Sequence, residues 1–205
     1  LICSLLLVGC GNGEKAPYVP TGDGLTFEEG EDNLQQNGSD KTAQVQELSL
    51  IYYPDKSLNP IECTDYTNRT LFSLIYQSLF FVDRNYNAVP ILCKSYSVSP
   101  DLCSYNFVIE DNAQFSDGSP LTAADVARTL IKAWDSTYYG GRFTHFRSVI
   151  IEDNNSVTIN LHTANEDLPL LLDIPVIKET ELDAERPLGS GPYYYDDTAA
   201  TLRMR

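Results

Sequence analysis

A chain of 205 residues with 42% hydrophobic and 21% charged side chains holds enough apolar material for one or two small domains with a real core, so it is not a disordered tail. Fourteen Lys and Arg stand against 29 Asp and Glu, and the formal net charge of -15 repels phosphate backbones, which excludes nucleic acid as a partner. Two His and one Trp restrict histidine-based catalysis and metal sites, while 13 Tyr dominate the aromatic content.

Residues Leu1 to Val8 read LICSLLLV. The run is too short to span a bilayer, which takes about 20 apolar residues, and it fits the back half of the apolar region of a secretory signal. Leu7-Val8-Gly9-Cys10 resembles the bacterial lipobox, in which small residues admit a peptidase and the Cys thiol takes the lipid. Residues 1–9 are therefore expected to be a signal peptide remnant and Cys10 the lipidation site. From Gly11 to Glu47 there are six Gly and eight acidic residues against two Lys, with no sustained period of 2 or 3.6. Residues 10–46 thus read as a lipid-anchored flexible tether.

Three cysteines, Cys63, Cys93 and Cys103, remain in the body, an odd number. Cys93 and Cys103 can pair if Tyr96 to Pro100 turns back; buried free thiols are the alternative. Without CxxC or HxxxH spacing, no metal site is expected.

The apolar segment Glu47 to Tyr53, ended by Pro54-Asp55, predicts a strand. Leu71, Leu74, Ile75 and Leu79 recur at helical spacing and predict a buried helix over Asn68 to Phe81. Tyr96 to Val98 and Tyr105 to Ile109 read as strands joined through Ser99-Pro100-Asp101. Asp117-Gly118 marks a tight turn. Thr122 with Asp125 forms a capping box opening a helix from Ala123 to about Asp135, with Val126, Leu130, Ala133 and Trp134 inward. Ser148 to Ile151 and Val157 to Leu161 flank Asp153-Asn154-Asn155 as a second hairpin. The body is a mixed α/β or α+β arrangement.

In this order the motifs resemble those of family 5 of the extracellular solute-binding proteins of bacterial ABC importers, the group that carries oligopeptides, dipeptides or nickel. Ser57-Leu58-Asn59-Pro60 is similar to the loop after that family's first strand, and Tyr76-Gln77-Ser78-Leu79 to its Tyr-Glu-Gly-Leu pattern. Val89-Pro90-Ile91-Leu92 resembles a P-x-L-A element with Cys93 in place of Ala. The stretch Phe115-Ser116-Asp117-Gly118-Ser119-Pro120-Leu121-Thr122-Ala123-Ala124-Asp125-Val126 is similar nearly letter for letter to F-S-D-G-x-P-L-T-A-x-D-V. Pro187 to Tyr193 resembles P-x-G-T-G-P-Y, with Ser190 for Thr.

The resemblance implies a periplasmic-binding-protein-like type II two-lobed fold, with residues 47–205 an incomplete solute-binding domain: the N-terminal part of lobe one plus the inserted small subdomain. It implies a non-enzymatic, monomeric lipoprotein on the extracytoplasmic face of the cell envelope, anchored in the plasma membrane. Such a protein binds a small-molecule or peptide ligand and delivers it to ABC permease subunits, with no cofactor. Ser57, Leu58, Asn59 and, with them, Tyr76 are the expected ligand-binding residues.

Two rival readings use other residues. A secreted serine-type hydrolase would need Ser190 with His145 or His162, but the glycines around Ser190 do not form G-x-S-x-G and Pro192 follows at once. A surface sensor or adhesin would use the same binding fold without a transporter. Asp117 and Asp125 read as turn and cap rather than a catalytic carboxylate pair, and both histidines as structural or surface groups.

Overall fold

In the computed structural model, residues 50–196, 198 and 201–205 are described; the apolar start, Cys10 and the tether lie outside them. The centre is a four-stranded antiparallel sheet in the order β3 (Cys93–Val98), β4 (Ser104–Ile109), β6 (Ser156–Leu161), β5 (Phe146–Ile151). Period-2 alternation decides its faces: Tyr105, Phe107 and Ile109 of β4 are buried while Ser104, Asn106 and Val108 are half-buried. Register sets Tyr105 opposite Ile159 and Phe107 opposite Val157, so one face is continuous and apolar. Helix α3 (Ala123–Trp134) covers it with Val126, Ala127, Leu130 and Ala133. Burial of Val126 and of Leu130 contributes about 1.5–3 kcal/mol each relative to exposure, and the alanine methyls less.

The polar part of the signature is scaffold, as the sequence implied. Asp125 accepts the Thr122 N–H (2.8 Å) and O–H (2.9 Å) on Oδ2, closing the first turn of α3. Its Oδ1 accepts the Glu179 N–H at 2.8 Å, tying residues 179–181 to the helix. Asp117 accepts from Ser119 N, Ser119 Oγ and Lys178 Nζ, and Gly118 sits at φ +82°, where a side chain would be strained. Trp134, expected inward, is only half-buried at the end of α3 and stacks on Phe143 with centroids 5.9 Å apart.

Two expectations are corrected, and the alternative left open for the cysteines is decided for free thiols. Leu50 to Tyr53 form no strand: no other described strand lies alongside, and a β-former without a partner edge makes no ladder. Ile51 is 77% exposed. The helix over Asn68 to Phe81 is instead two single turns, α1 (Tyr66–Arg69) and α2 (Phe72–Ile75), followed by β1 (Phe80–Val82), which pairs with β2 (Ala88–Pro90). The Ile75 carbonyl, which would bond Leu79 in a continuing helix, accepts the Gly191 N–H at 2.8 Å, and Tyr76 turns extended. Cys93 and Cys103 form no disulfide; Cys63, Cys93 and Cys103 are all free. Cys93 pairs with Ile109 at the open end of the β3–β4 hairpin, whereas Cys103 enters β4 beside the turn, so the register holds them apart.

The chain ends in a two-stranded ribbon of β7 (Tyr193–Asp196) and β8 (Thr201–Met204). Tyr195 of β7 hydrogen-bonds the Tyr52 hydroxyl through its own at 2.7 Å, drawing the start of the described chain onto the ribbon.

Candidate functional site

The four residues named from the sequence form a tight internal frame. Asn59 is fully buried, and its amide nitrogen donates to the Leu182 and Ala184 carbonyls, both at 2.9 Å, while its oxygen accepts the Ile61 N–H at 3.0 Å. Leu58 is 1% exposed and donates its N–H to the Glu185 carbonyl at 2.8 Å. Ser57 Oγ accepts the Asn59 N–H at 2.9 Å and reaches the Glu185 carbonyl at 3.2 Å. The Tyr76 hydroxyl lies 2.9 Å from the Leu58 carbonyl and 3.0 Å from that of Pro187, and burial pushes its phenol well above the usual range.

Behind Tyr76 the chain returns as Gly189-Ser190-Gly191. A Cβ on Gly189 would lie 2.1 Å from the Ile75 carbonyl oxygen, and one on Gly191 would lie 2.4 Å from that of Leu74. Only glycine backbone fits against α2 this closely. Ser190 is 4% exposed, and its Oγ has no hydrogen-bond partner among the described residues.

On the other side of α2 opens a cavity of about 400 Å³. Arg69, Phe72, Ser73, Tyr76 and Gln77 line it from α1, α2 and the residues just after; Tyr138, Tyr139 and Arg142 line it from the segment after α3; Asp173, Pro175 and Pro192 close it. Phe81 and Ile91 form a rim and are 56% and 38% exposed. An open concavity with aromatic walls and few convergent polar groups is what small-solute sites look like.

Its two cations differ. Arg142 is paired with Asp173, which neutralises it. Arg69 meets no carboxylate among the described residues; it donates through Nη1 to the Pro60 (3.1 Å) and Cys63 (2.9 Å) carbonyls and through Nη2 to the Tyr139 hydroxyl (2.8 Å). The Tyr138 ring covers its face, with the centroid 3.5 Å from Cζ. Among the described residues the cavity therefore carries one uncompensated positive charge, in a chain of net charge -15.

Of the residues named from the sequence, Tyr76 reaches this cavity; Leu58 instead lines, again with Tyr76, a void of about 70 Å³. Arg69, Tyr138, Tyr139, Arg142 and Asp173 escaped sequence reasoning. One signal was present: Tyr138-Tyr139-Gly140-Gly141-Arg142, two aromatics and a cation just past a capped helix. The two histidines, distant in sequence, are cross-strand neighbours, with the His162 N–H donating to the His145 carbonyl at 2.8 Å. Both are exposed, and among the described residues no group of three or more His, Cys, Asp or Glu could hold a metal ion.

Residues 87–204, more than half of the chain, match the family described as bacterial extracellular solute-binding proteins, family 5 middle. The chain is 28% identical over 174 residues to the probable peptide ABC transporter periplasmic-binding protein y4tO of Sinorhizobium fredii, covering 79% of this chain and 32% of that one. It is 28% identical over 151 residues to the glutathione-binding protein GsiB of Pectobacterium atrosepticum, covering 68% and 29%. Among solved structures, the ABC transporter substrate-binding protein CtaP of Listeria monocytogenes superposes with a TM-score of 0.60 at 27% identity, over 69% of this chain and 32% of that one. NikZ of Campylobacter jejuni, solved with Ni(L-His), gives 0.60 at 23%, over 72% and 32%. The chain thus spans about a third of the length of the relatives it matches, and its fold is part of the two-lobed periplasmic-binding type. The chain belongs to the bacterial extracellular solute-binding proteins of family 5.

Proposed function

We propose that the protein captures a small solute, an oligopeptide or a molecule of similar size, outside the cytoplasm and delivers it to the permease of an ABC importer. One observation carries the reading: the cavity of about 400 Å³ pairs aromatic walls with one uncompensated cation. The names of its relatives, one glutathione-binding and one a probable peptide transporter component, favour the same class of solute. Tyr76 lines the wall, and Ser57, Leu58 and Asn59 hold that wall in place from behind. Capture would lower the solute's escape rate and favour closure of two lobes about a hinge, with ATP hydrolysis by partner subunits driving transport.

A lipid on Cys10 would keep the monomer at the extracytoplasmic face of the membrane, with residues 10–46 as its tether. The hydrolase reading finds little support, since Ser190 is buried against α2 while both histidines are exposed at a sheet end. The test is calorimetry on the product of the full reading frame with glutathione, tri- to pentapeptides and the nickel–histidine complex. Saturable heat from one of these is expected; none from any of them refutes the proposal. Detergent-phase partition of that product, lost on Cys10→Ala, tests the anchor, and partition into water by the unchanged protein refutes it.

A further inference from the structure

The donor inventory of Arg69 narrows the chemistry of the solute. A guanidinium carries five N–H donors in one plane and never loses its charge. Three are spent inside the chain, two from Nη1 on the Pro60 and Cys63 carbonyls and one from Nη2 on the Tyr139 hydroxyl. The Nε–H and one Nη2–H have no acceptor among the described residues. Tyr139 is 2% exposed; its hydroxyl oxygen accepts from Arg69, and its own proton likewise meets no acceptor among them.

These unspent donors sit on groups that line one cavity. The group is also held still: two backbone carbonyls grip it from behind, the Tyr139 hydroxyl from the side, and the Tyr138 ring lies against its face. A fixed, half-buried cation with unmet donors and no counter-ion among the described residues is a receptor for an oxyanion, because charge-assisted bonds to a flat two-oxygen acceptor are the strongest it can form. Arg142 cannot serve in the same way, since Asp173 already occupies it.

Building on the proposed solute-binding role, we propose that the ligand carries a carboxylate and that Arg69, assisted by the Tyr139 hydroxyl, receives it, with the rest of the ligand lying against Phe72 and Tyr138. Arg69 is then a specificity-determining residue: the site discriminates against the same solute with its carboxylate capped as an amide.

The experiment uses the product of the full reading frame and matched pairs of probes: tri- to pentapeptides and their C-terminal carboxamides, and glutathione with its diamide. Calorimetry should give acids bound about 10- to 100-fold more tightly than their amides. Arg69→Gln should abolish that preference, so that acids and amides bind within about threefold of one another. Tyr139→Phe, which keeps the ring, should reduce the preference by about three- to tenfold, and it serves if the Arg69 variant fails to fold. Equal binding of acids and amides by the unchanged protein overturns the carboxylate inference and leaves solute binding standing. So does a preference that survives Arg69→Gln or, where that variant does not fold, one that Tyr139→Phe leaves undiminished. No binding of any probe removes the solute-binding reading and the inference together.

Discussion

Replacing Asn59 with Ala removes three hydrogen bonds at once and leaves two carbonyl oxygens, of Leu182 and Ala184, and the Ile61 N–H without their partner. Neutral hydrogen bonds contribute about 1 kcal/mol each net, and buried groups left unpaired push the loss upward, so the change should cost about 3–5 kcal/mol. For a protein of this size one kcal/mol moves the melting temperature by about 2–4 °C, which gives a drop of at least about 6–12 °C. Asn59→Asp is a sharper version. It keeps an acceptor for Ile61 but sets a buried anion 2.9 Å from two carbonyl oxygens, so it should melt lower still at neutral pH. Thermal melts followed by circular dichroism supply the stability, and calorimetry on the folded protein, with whichever probe the unchanged protein takes up, supplies the affinity. The expected pattern is a large loss of stability with affinity within about threefold. An unchanged melt with affinity lost would show that Asn59 touches the solute, and the frame argument would be wrong.

Other consequences are separable. Gly191→Ala should destabilise by more than about 4 kcal/mol, because its Cβ would lie 2.4 Å from the Leu74 carbonyl oxygen and neither backbone can yield; a melt within a few degrees of the unchanged protein's would refute the close approach. Tyr76 is neutral when folded and its ionisation is pushed up by burial, so its contribution is complete below the phenol's ordinary value, about 10, and fades above it. Tyr76→Phe should therefore melt lower at pH 7 and lose less stability between about pH 10 and 12 than the unchanged protein does; parallel losses in the two proteins would contradict this. Burial pushes the Cys93 thiol up to about 11 and raises that of Cys63 as well. The half-buried Cys103 should thus react with a thiol reagent first, the other two only on unfolding, and early labelling of Cys93 by mass spectrometry would count against the burial described.

The parts legible in the sequence are those in which local chemistry and tertiary packing agree. β4 alternates because one face is buried, and Thr122 and Asp125 cap a helix with no distant help. The misread helix shows the opposite case. Leu71, Leu74, Ile75 and Leu79 have a helical period, but the carbonyl that continuation required is claimed by Gly191, more than a hundred residues on. The cavity was hidden for the same reason. Arg69 reads as an ordinary helix-end cation until the fold sets Tyr138 over it and leaves it no carboxylate among the described residues. Asn59 drew notice as a loop residue beside a ligand; nothing local reveals that its amide is consumed by residues 182 and 184.

The bond from Gly191 to Ile75 also sets a schedule. At about 5–20 residues per second, the ribosome delivers Gly191 roughly 6–23 seconds after Ile75. For that interval α2 ends on an unanswered carbonyl, and Asn59 waits slightly longer still, because the carbonyls that complete it follow 123 and 125 residues later. The wall of the cavity is thus the last part of this segment to become permanent, although its residues are among the first of the described body to be made. A nascent chain stalled between Ile75 and Leu182 holds every side chain of α1 and α2 and the Pro60 and Cys63 carbonyls that grip Arg69, but neither the Gly191 N–H that ends α2 nor the carbonyls that complete Asn59.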